Sequence, residues 1–380
     1  MKITILKEKL KEGINVVEKI SQKTLTLPIL QNTLFEVEKN FLKLSSTNLE
    51  SGVNWWNLVK VEKEGKICLP TRFFSNLLMF LPQKPVNLEI KDLSLSLECE
   101  NYKTKIKGFN SEEFPIIPQI KEEVSLLVDS FNFCRALNQI LNIPSSSLAR
   151  PEISGIYFSF QPEMIKMVAT DSFRLAEKKL SLKTNLTKEY SLILPQSAAR
   201  EIISIFGEKD GELKIYLSPN QIWLELMMSE TPHPQIQFTS RLIEGEYPNY
   251  EEIIPKKFET YLTLPKEEFL TQIKTASLFS GKINEVKLKA DPKNEIVEIS
   301  SQSPDLGEYN SSLKGKIKGK EVSLSFNHRF LLDGISEIKT KEILLEITNE
   351  EGPSLLKPSQ PETSYPTEDY LYIIMPIKTS

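Results

Sequence analysis

One helical pattern occurs three times along the 380-residue chain and constrains its fold more than any other feature. The copies start at Ile5, Val128 and Leu264, each in a short stretch typical of a strand. Apolar residues follow at offsets of 5, 9 and 12, and these spacings place them on one helical face. They are Leu10, Ile14 and Val17, then Phe133, Leu137 and Ile140, and finally Phe269, Ile273 and Ala276. The shared offsets indicate a threefold internal repeat.

A second helical pattern lies in the later half of each repeat and starts at Pro70, Pro195 and Asn327. Its members follow at offsets of 3, 4, 7, 8 and 11 and are Phe73, Phe74, Leu77, Leu78 and Leu81; Ala198, Ala199, Ile202, Ile203 and Phe206; and Phe330, Leu331, Gly334, Ile335 and Ile338. The two patterns are 65, 67 and 63 residues apart in the three repeats (5 to 70, 128 to 195 and 264 to 327). Each third of the chain therefore holds two similar half-units. Gly334 interrupts an apolar stripe and is expected to mark a point of close packing.

Between the helices the sequence alternates apolar and polar residues, as strands do. Examples are residues 33–37 (TLFEV), 41–45 (FLKLS), 86–90 (VNLEI) and 93–97 (LSLSL). Because such segments come in hairpin-like runs, they favour antiparallel sheets. The adjacent Trp55 and Trp56 are expected to be partly buried strand residues. We predict an α+β fold of three structurally similar domains, each built from two half-units in the order strand, helix, antiparallel strands.

Two segments of similar composition mark the domain boundaries. Residues 112–118 (EEFPIIP) and 246–255 (EYPNYEEIIP) each place acidic residues before an aromatic-proline pair and a second proline. Such segments are extended and cannot continue a helix. We expect linkers near 113–123 and 247–258, and domains at 1–122, 123–257 and 258–380.

Composition excludes several classes of protein and site. With 47 Lys and Arg against 51 Asp and Glu, the formal net charge is −4, so bulk positive charge cannot hold nucleic acid. The three cysteines, Cys68, Cys99 and Cys134, lack CxxC spacing, and the two histidines lie 95 residues apart (233 to 328). Neither the P-loop motif nor the GxGxxG motif occurs. We expect no metal and no cofactor.

The sequence predicts no membrane segment. Charged residues interrupt the apolar residues of the first ten positions (MKITILKEKL), which argues against a secretory signal. No stretch approaches the roughly 18 apolar residues of a membrane span. We expect a soluble, cytoplasmic protein that makes no membrane contact.

Four short motifs, in order along the chain, resemble those of the β subunit of bacterial DNA polymerase III, the sliding clamp family. They are residues 27–30 (LPIL), 169–176 (ATDSFRLA), 247–250 (YPNY) and 374–378 (IMPIK). The corresponding family motifs read LPIL, ATDGHRLA, FPDY and VMPMR. The resemblance covers the whole chain, and the threefold repeat has the length that the family has.

The resemblance implies a head-to-tail homodimer in which six clamp domains enclose duplex DNA without reading its sequence. Helices would line the hole and a continuous sheet would form the outside. The ring would tether the replicative polymerase and perform no chemistry. The implied partners are the DNA polymerase III α subunit, the clamp loader δ subunit, and other polymerases or repair proteins. A ring is held on DNA by topology, so a net charge of −4 is compatible with it.

Cations on the polar faces of the helices and in their leading loops are the candidates for facing DNA. They are Lys23, Arg72, Arg135, Arg150, Arg200, Lys274 and Lys282, together with Lys7 and Lys11. Taken alone, each is an ordinary solvated surface charge. Arg72, Arg150 and Arg200 are the strongest three, since Arg72 and Arg200 lie on second-pattern helices with few acidic neighbours and Arg150 precedes a strand.

The resemblance also implies a cleft that takes a short partner peptide of the Gln/Leu/Phe type. The matching positions are Ile153, Thr170, Ser172, Phe173, Arg174, Leu175, Pro248, Ile253, Asn327, Phe330, Leu355, Met375, Pro376 and Ile377. Ser172 and Phe173 replace the Gly-His of the family, and serine costs more than glycine if φ is positive there. Glu252 stands where a basic residue is frequent. We expect a cleft whose peptide preference has shifted toward a less acidic motif.

Two alternatives remain open at this point. A clamp-like ring dedicated to repair or to an episome would have the same sequence features. An enzyme that uses paired carboxylates on a repeat scaffold belongs to a different class, and no motif supports it.

Overall fold

The computed structural model describes residues 1–21, 27–118, 124–145, 147, 149–359 and 369–378. Within these residues the α-helices are α1 (Lys7–Glu18), α2 (Thr71–Phe80), α3 (Ser130–Asn138), α4 (Gln196–Phe206), α5 (Lys266–Ser277) and α6 (His328–Glu337). None of these helices is long and apolar enough to cross a membrane. Short 3-10 helices occupy Pro28–Gln31, Ser111–Glu113, Pro151–Ile153 and Tyr250–Ile253.

The strands, in chain order, form short antiparallel runs between these helices. They are β1 (Lys2–Leu6), β2 (Asn32–Glu38), β3 (Phe41–Thr47), β4 (Ser51–Leu58), β5 (Lys60–Lys63), β6 (Gly65–Pro70), β7 (Pro85–Lys91), β8 (Ser94–Cys99), β9 (Tyr102–Lys107), β10 (Ser125–Asp129), β11 (Gly155–Phe160), β12 (Met164–Thr170), β13 (Arg174–Ser181), β14 (Tyr190–Pro195), β15 (Glu212–Leu217), β16 (Gln221–Met227), β17 (Pro234–Arg241), β18 (Thr260–Pro265), β19 (Glu285–Asp291), β20 (Ile296–Ser303), β21 (Gly307–Lys314), β22 (Lys316–Gly319), β23 (Val322–Asn327), β24 (Glu342–Ile347), β25 (Ser354–Pro358) and β26 (Tyr370–Ile374).

Each of the six α-helices in the described residues begins directly after a strand, and at four of these junctions the last strand residue explains the change. Pro70, Pro195 and Pro265 each end a strand and directly precede α2, α4 and α5. Proline lacks the N–H that a strand ladder needs, but its φ is compatible with a helix start. Asn327 precedes α6, and its side chain accepts a hydrogen bond from the Arg329 backbone N–H at 3.0 Å. This bond satisfies one of the free donors of the first turn.

The first helical pattern is confirmed, because all nine of its apolar positions are fully buried. They are Leu10, Ile14, Val17, Phe133, Leu137, Ile140, Phe269, Ile273 and Ala276. Fully burying a large aliphatic or aromatic side chain contributes about 1.5–3 kcal/mol. The three stripes therefore attach α1, α3 and α5 to their sheets.

The second helical pattern is wrong at one position, where an apolar member is exposed and not buried. On α2, Phe74 and Leu78 are buried, but Phe73 is 56% exposed. Phe80, which is not a member of the pattern, is also exposed. Residues 73 and 74 lie about 100° apart on a helix. At the matching positions of α4 the small side chains of Ala198 and Ala199 are both buried, whereas the larger Phe73 ring stays outside the contact. Helix α2 thus carries an apolar stripe that this chain does not bury.

The described residues divide into two compact units. Unit 1 comprises Met1–Arg135 and Lys183–Ile243, and unit 2 comprises Ala136–Leu182 and Glu244–Ser380. Of the expected linkers, residues 113–118 include the end of a 3-10 turn and residues 119–123 lie outside the described residues. The expected linker at 247–258 contains the 3-10 helix Tyr250–Ile253.

Unit 1 contains two antiparallel sheets. One has the strand order β5-β1-β7-β8-β9, and the other has the order β10-β15-β16-β17-β4-β3-β2-β6. Strand β17 pairs with β4, with Ile236 opposite Trp55 and Ser240 opposite Ser51. The larger sheet therefore joins strands from the first and second predicted domains.

Unit 2 repeats this arrangement. Within unit 2, the larger sheet contains the eight strands β11-β12-β13-β26-β25-β24-β18-β22 in this order, and the smaller sheet runs β21-β20-β19-β23. Strand β13 pairs with β26, with Arg174 opposite Ile374 and Lys178 opposite Tyr370. Here strands from the second and third predicted domains share one sheet.

Two glycines let a helix approach an aromatic ring. Trp55 on β4 is fully buried, Trp56 is half-buried, and a Cβ on Gly13 of α1 would lie 2.4 Å from the Trp55 ring. On α6, a Cβ on Gly334 would lie 2.6 Å from the ring of Tyr372. The expectations for the tryptophan pair and for Gly334 are both confirmed.

We predict that Gly13→Ala lowers the free energy of unfolding by about 1–3 kcal/mol, because the new methyl group overpacks against Trp55. Urea unfolding of the full chain measures the change. Asn15→Ala is the matched control, since Asn15 is exposed on the same helix and alanine favours helix at both sites. Equal stability of the two variants would contradict the close contact.

Candidate partner-binding cleft and DNA-facing cations

The turn between β12 and β13 is built from side-chain hydrogen bonds to its own backbone. The Thr170 hydroxyl donates to the Arg174 carbonyl at 2.7 Å, and Asp171 Oδ1 accepts the N–H of Phe173 at 2.9 Å. Ser172 has φ of 78°, in the left-handed region that favours glycine. The turn leaves the Phe173 side chain 63% exposed. It thus presents one aromatic ring from a tightly fixed loop.

Arg174, at the start of β13, connects this turn to two other elements. Its Nε donates to Asp171 Oδ2 at 2.9 Å, and its Nη1 donates to Asp333 on α6. Its Nη2 donates to the Asn142 carbonyl at 3.1 Å, and its side chain is only 9% exposed. The guanidinium also lies 4.4 Å from the centre of the Phe330 ring. Both carboxylates belong to this chain, so the charge of Arg174 is compensated internally.

Burial and the neighbouring side chains act in opposite directions on the pKa of Arg174. Burial lowers the pKa of its guanidinium, whereas Tyr372, Asp333 and Asp171 raise it, and the net pKa is above the ordinary value. Burial likewise raises the pKa of the Tyr372 hydroxyl. That hydroxyl donates to the Phe330 carbonyl at 2.8 Å. Arg174 and Tyr372 together fix the position of Phe330.

An apolar cluster lies beneath the turn. Its buried members are Val168, Leu175, Tyr250, Leu355 and Ile373, and Tyr157, Tyr247, Ile254, Phe258 and Leu371 pack against it. Ile373 is opposite Leu175 on one side and opposite Leu355 on the other, because β26 lies between β13 and β25. Leu175 and Leu355 therefore form the buried base of the candidate cleft. Ile153, also buried, lies in the short helix that follows Arg150.

The C-terminal segment runs beside the turn. The Met375 N–H donates to the Phe173 carbonyl at 2.9 Å, and the Ile377 N–H donates to the Ser325 carbonyl at 2.7 Å. Pro376 lies between these two contacts. Asn327, two residues after Ser325, uses its side-chain oxygen to cap α6. These bonds bring the terminal motif and the β12–β13 turn together.

The segment around Pro248 and Ile253 is attached by tyrosines. The Tyr250 hydroxyl donates to Glu177 Oε2 at 2.7 Å, and burial and this carboxylate raise its pKa. Ile253 is exposed, and Glu252 accepts a hydrogen bond from Asn249 at 2.7 Å. The site residues predicted from the sequence do not include Asp333, Asn142 or Tyr372. The only sequence pattern that could have pointed to one of them is the spacing of three residues between Phe330 and Asp333, which places both on one side of a helix.

The candidate DNA-facing cations differ in their surroundings. Arg72, Arg135, Arg200, Lys274 and Lys282 are all exposed, as is Lys11. Lys23 lies outside the described residues.

Two of the remaining candidates have specific contacts. Arg150 is exposed, but it pairs with Glu152 at 3.0 Å and donates to the Ser172 hydroxyl at 3.2 Å, beside the β12–β13 turn. Lys7 was wrongly included: it is 5% exposed, and its ammonium donates to the Leu81 carbonyl at 2.8 Å.

We predict that Ser172→Gly raises the free energy of unfolding by about 1 kcal/mol relative to Ser172→Ala, because only glycine adopts this φ without a Cβ penalty. Both variants lose the hydroxyl, so the comparison isolates the backbone. Urea unfolding measures the difference. A glycine variant no more stable than the alanine variant would contradict the strain at this turn.

Three family models of the DNA polymerase III beta subunit match the chain. The N-terminal domain model matches residues 1–118, the central domain model matches 128–249, and the C-terminal domain model matches 251–378.

Relatives and solved structures agree with these matches. The beta sliding clamp of Bacillus subtilis is 27% identical and that of Streptococcus pneumoniae is 25% identical; each alignment covers at least 97% of both chains. The crystal structure of the Bacillus subtilis clamp has a TM-score of 0.91 at 26% identity, and that of the Thermotoga maritima subunit has 0.90 at 21%, each with full coverage of both chains. The predicted α+β fold of three clamp domains is confirmed. The chain belongs to the DNA polymerase III beta subunit family, the bacterial sliding clamps.

Proposed function

We propose that this sliding clamp encircles duplex DNA as a head-to-tail homodimer and catalyses no reaction itself. The observation that carries the proposal is the match of all three domain models along one chain, together with the fold. The proposed domains are residues 1–122, 123–257 and 258–380. Two copies provide six domains, and a head-to-tail contact closes when the rotation between copies is one half-turn.

Two sheet edges are suited to join the copies. Strand β9 is the outer strand of the smaller sheet of unit 1, and β21 is the outer strand of the smaller sheet of unit 2. Edge strands present unpaired backbone groups and tend to recruit another strand. Exposed apolar side chains lie at both edges: Tyr102 at the start of β9, and Leu306 directly before β21. We infer that β9 of one copy pairs with β21 of the other.

The charge distribution supports a topological hold on DNA. Exposed cations on α2, α4 and α5 include Arg72, Arg200 and Lys274, whereas the whole chain has a net charge of −4. An exposed ion pair contributes about 0–1 kcal/mol. Such weak contacts guide the duplex without fixing the ring at one position.

We predict that the clamp, loaded on nicked circular DNA, stays bound at salt concentrations high enough to disrupt ordinary electrostatic contacts between protein and DNA phosphates. Linearising the circle should release it, and gel filtration of the protein–DNA mixture measures both results. Native mass spectrometry is the companion measurement and should give twice 43.5 kDa. Equal loss from circular and linear DNA, or a strict monomer, would contradict the ring.

We infer that the β12–β13 turn, α6 and the C-terminal segment form a docking cleft for short peptides of polymerases, including the DNA polymerase III α subunit, the clamp loader δ subunit and repair proteins. Exposed Phe173 and Ile253 provide apolar contacts, and the surrounding polar groups fix orientation. A peptide in such a cleft binds near micromolar, about −8 kcal/mol, which permits exchange.

We predict that Phe173→Ala weakens binding of a fluorescent Gln/Leu/Phe peptide at least about tenfold, because an aromatic anchor is lost. Phe131→Ala is the control, since Phe131 is similarly exposed but lies on α3. Deleting residues 375–380 should abolish binding while native mass still shows a dimer. Loss of the dimer instead would assign this segment to the interface.

A further inference from the structure

We propose that Asp333 makes the docking cleft selective for peptides that carry a lysine or arginine beside their apolar residues. This inference rests on the proposed peptide docking and names its ligand class. It follows from how the arginines of the cleft are paired and from which carboxylate stays accessible.

Arg174 has little charge left to offer to a ligand. Its Nε contacts Asp171, its Nη1 contacts Asp333 and its Nη2 contacts a backbone carbonyl, so each nitrogen of the guanidinium has an acceptor from this chain. With 9% of its side chain exposed, Arg174 has no free edge for a ligand carboxylate. A bidentate contact from an acidic peptide would have to displace Asp171 or Asp333.

Asp333, by contrast, remains partly accessible to a ligand. Its side chain is 43% exposed although one oxygen binds Arg174. It follows Phe330 by three residues on α6, so both lie on one side of the helix. A peptide side chain packed near Phe330 would therefore have its polar neighbour close to a carboxylate.

Other charged side chains also lie beside the β12–β13 turn. Arg150 is paired with Glu152, so its charge is also compensated. A Cβ on Gly245 would lie 3.6 Å from the Glu152 Cβ, and Gly245 stands between the exposed Glu244 and Glu246. Arg329, exposed on α6 four residues before Asp333, adds a third cation. Three guanidinium groups therefore stand among the five carboxylates of Asp171, Asp333, Glu152, Glu244 and Glu246. The polar end of the cleft is negative, which attracts cations and repels acidic groups.

The test uses the full-length dimer and two fluorescein-labelled nine-residue peptides that contain Gln, Leu and Phe. The peptides are identical except for Lys or Glu next to the apolar pair, and fluorescence anisotropy measures both dissociation constants at 50 mM and 500 mM salt. We expect the Lys peptide to bind about fivefold more tightly at the lower salt. The preference should shrink at the higher salt because screening shortens the range of these charges.

The Asp333→Asn variant tests whether the charge of Asp333 causes the preference for the Lys peptide. The amide retains an oxygen for Arg174 but removes the charge, so the Lys preference should disappear and the Glu peptide should bind more tightly than to the unchanged protein. Asp210→Asn is the matched control, because it removes one exposed charge in unit 1 and should leave the preference intact.

Each outcome decides a separate point. Equal binding of the two peptides, or tighter binding of the Glu peptide, would overturn the charge preference and leave peptide docking in place. Failure of both peptides to bind would overturn docking itself. Retention of the full preference in Asp333→Asn would remove the role of Asp333. The salt series on the unchanged protein tests the preference independently of how any variant folds.

Discussion

The pairing of β13 with β26 is the interaction on which the candidate cleft depends. Arg174 begins β13 opposite Ile374, and this register places Phe173 beside Met375, where the two backbones share a hydrogen bond. A slip of one residue would turn every side chain of β26 to the other face of the sheet. Leu175 and Leu355 would then lose Ile373 between them. The same pairing buries the backbone groups of a strand that would otherwise be an open edge.

The helices were predictable because their signal is local. An apolar stripe with steps of three and four is written into a dozen consecutive residues, and all nine positions of the first pattern are buried. Phe73 was misplaced because two adjacent apolar residues on a helix cannot be ranked by period alone. The pairing of β17 with β4 joins Ile236 to Trp55, which are 181 positions apart (55 to 236), and no local period encodes such a contact. Family resemblance, not periodicity, indicated a continuous sheet.

The candidate cleft was likewise only partly predictable from the sequence. Motif resemblance identified Arg174, Phe330 and Met375 as candidates, but the partners that hold Arg174 come from distant parts of the chain. Asp333 is separated from Arg174 by 159 positions and Asn142 by 32, so neither could be connected to it from sequence. Ser172 was different, because the glycine of the family pattern drew attention to the backbone conformation at this position, and φ is 78° there with serine in place. Backbone requirements can be inferred from a residue type, whereas ion-pair partners require the fold.

Arginine has two contrasting settings in this chain, and they explain how an acidic protein can act on DNA. Arg174 is buried and held by two carboxylates, so it defines the shape of the proposed peptide cleft and contributes little free charge. Arg72 and Arg200 are exposed on helices, where their charge remains available but each contact is weak and screened. A ring that must slide requires the second kind, since strong phosphate contacts would oppose movement along the duplex. The net charge of −4 therefore limits the strength of each contact with DNA, while the proposed closed ring provides retention.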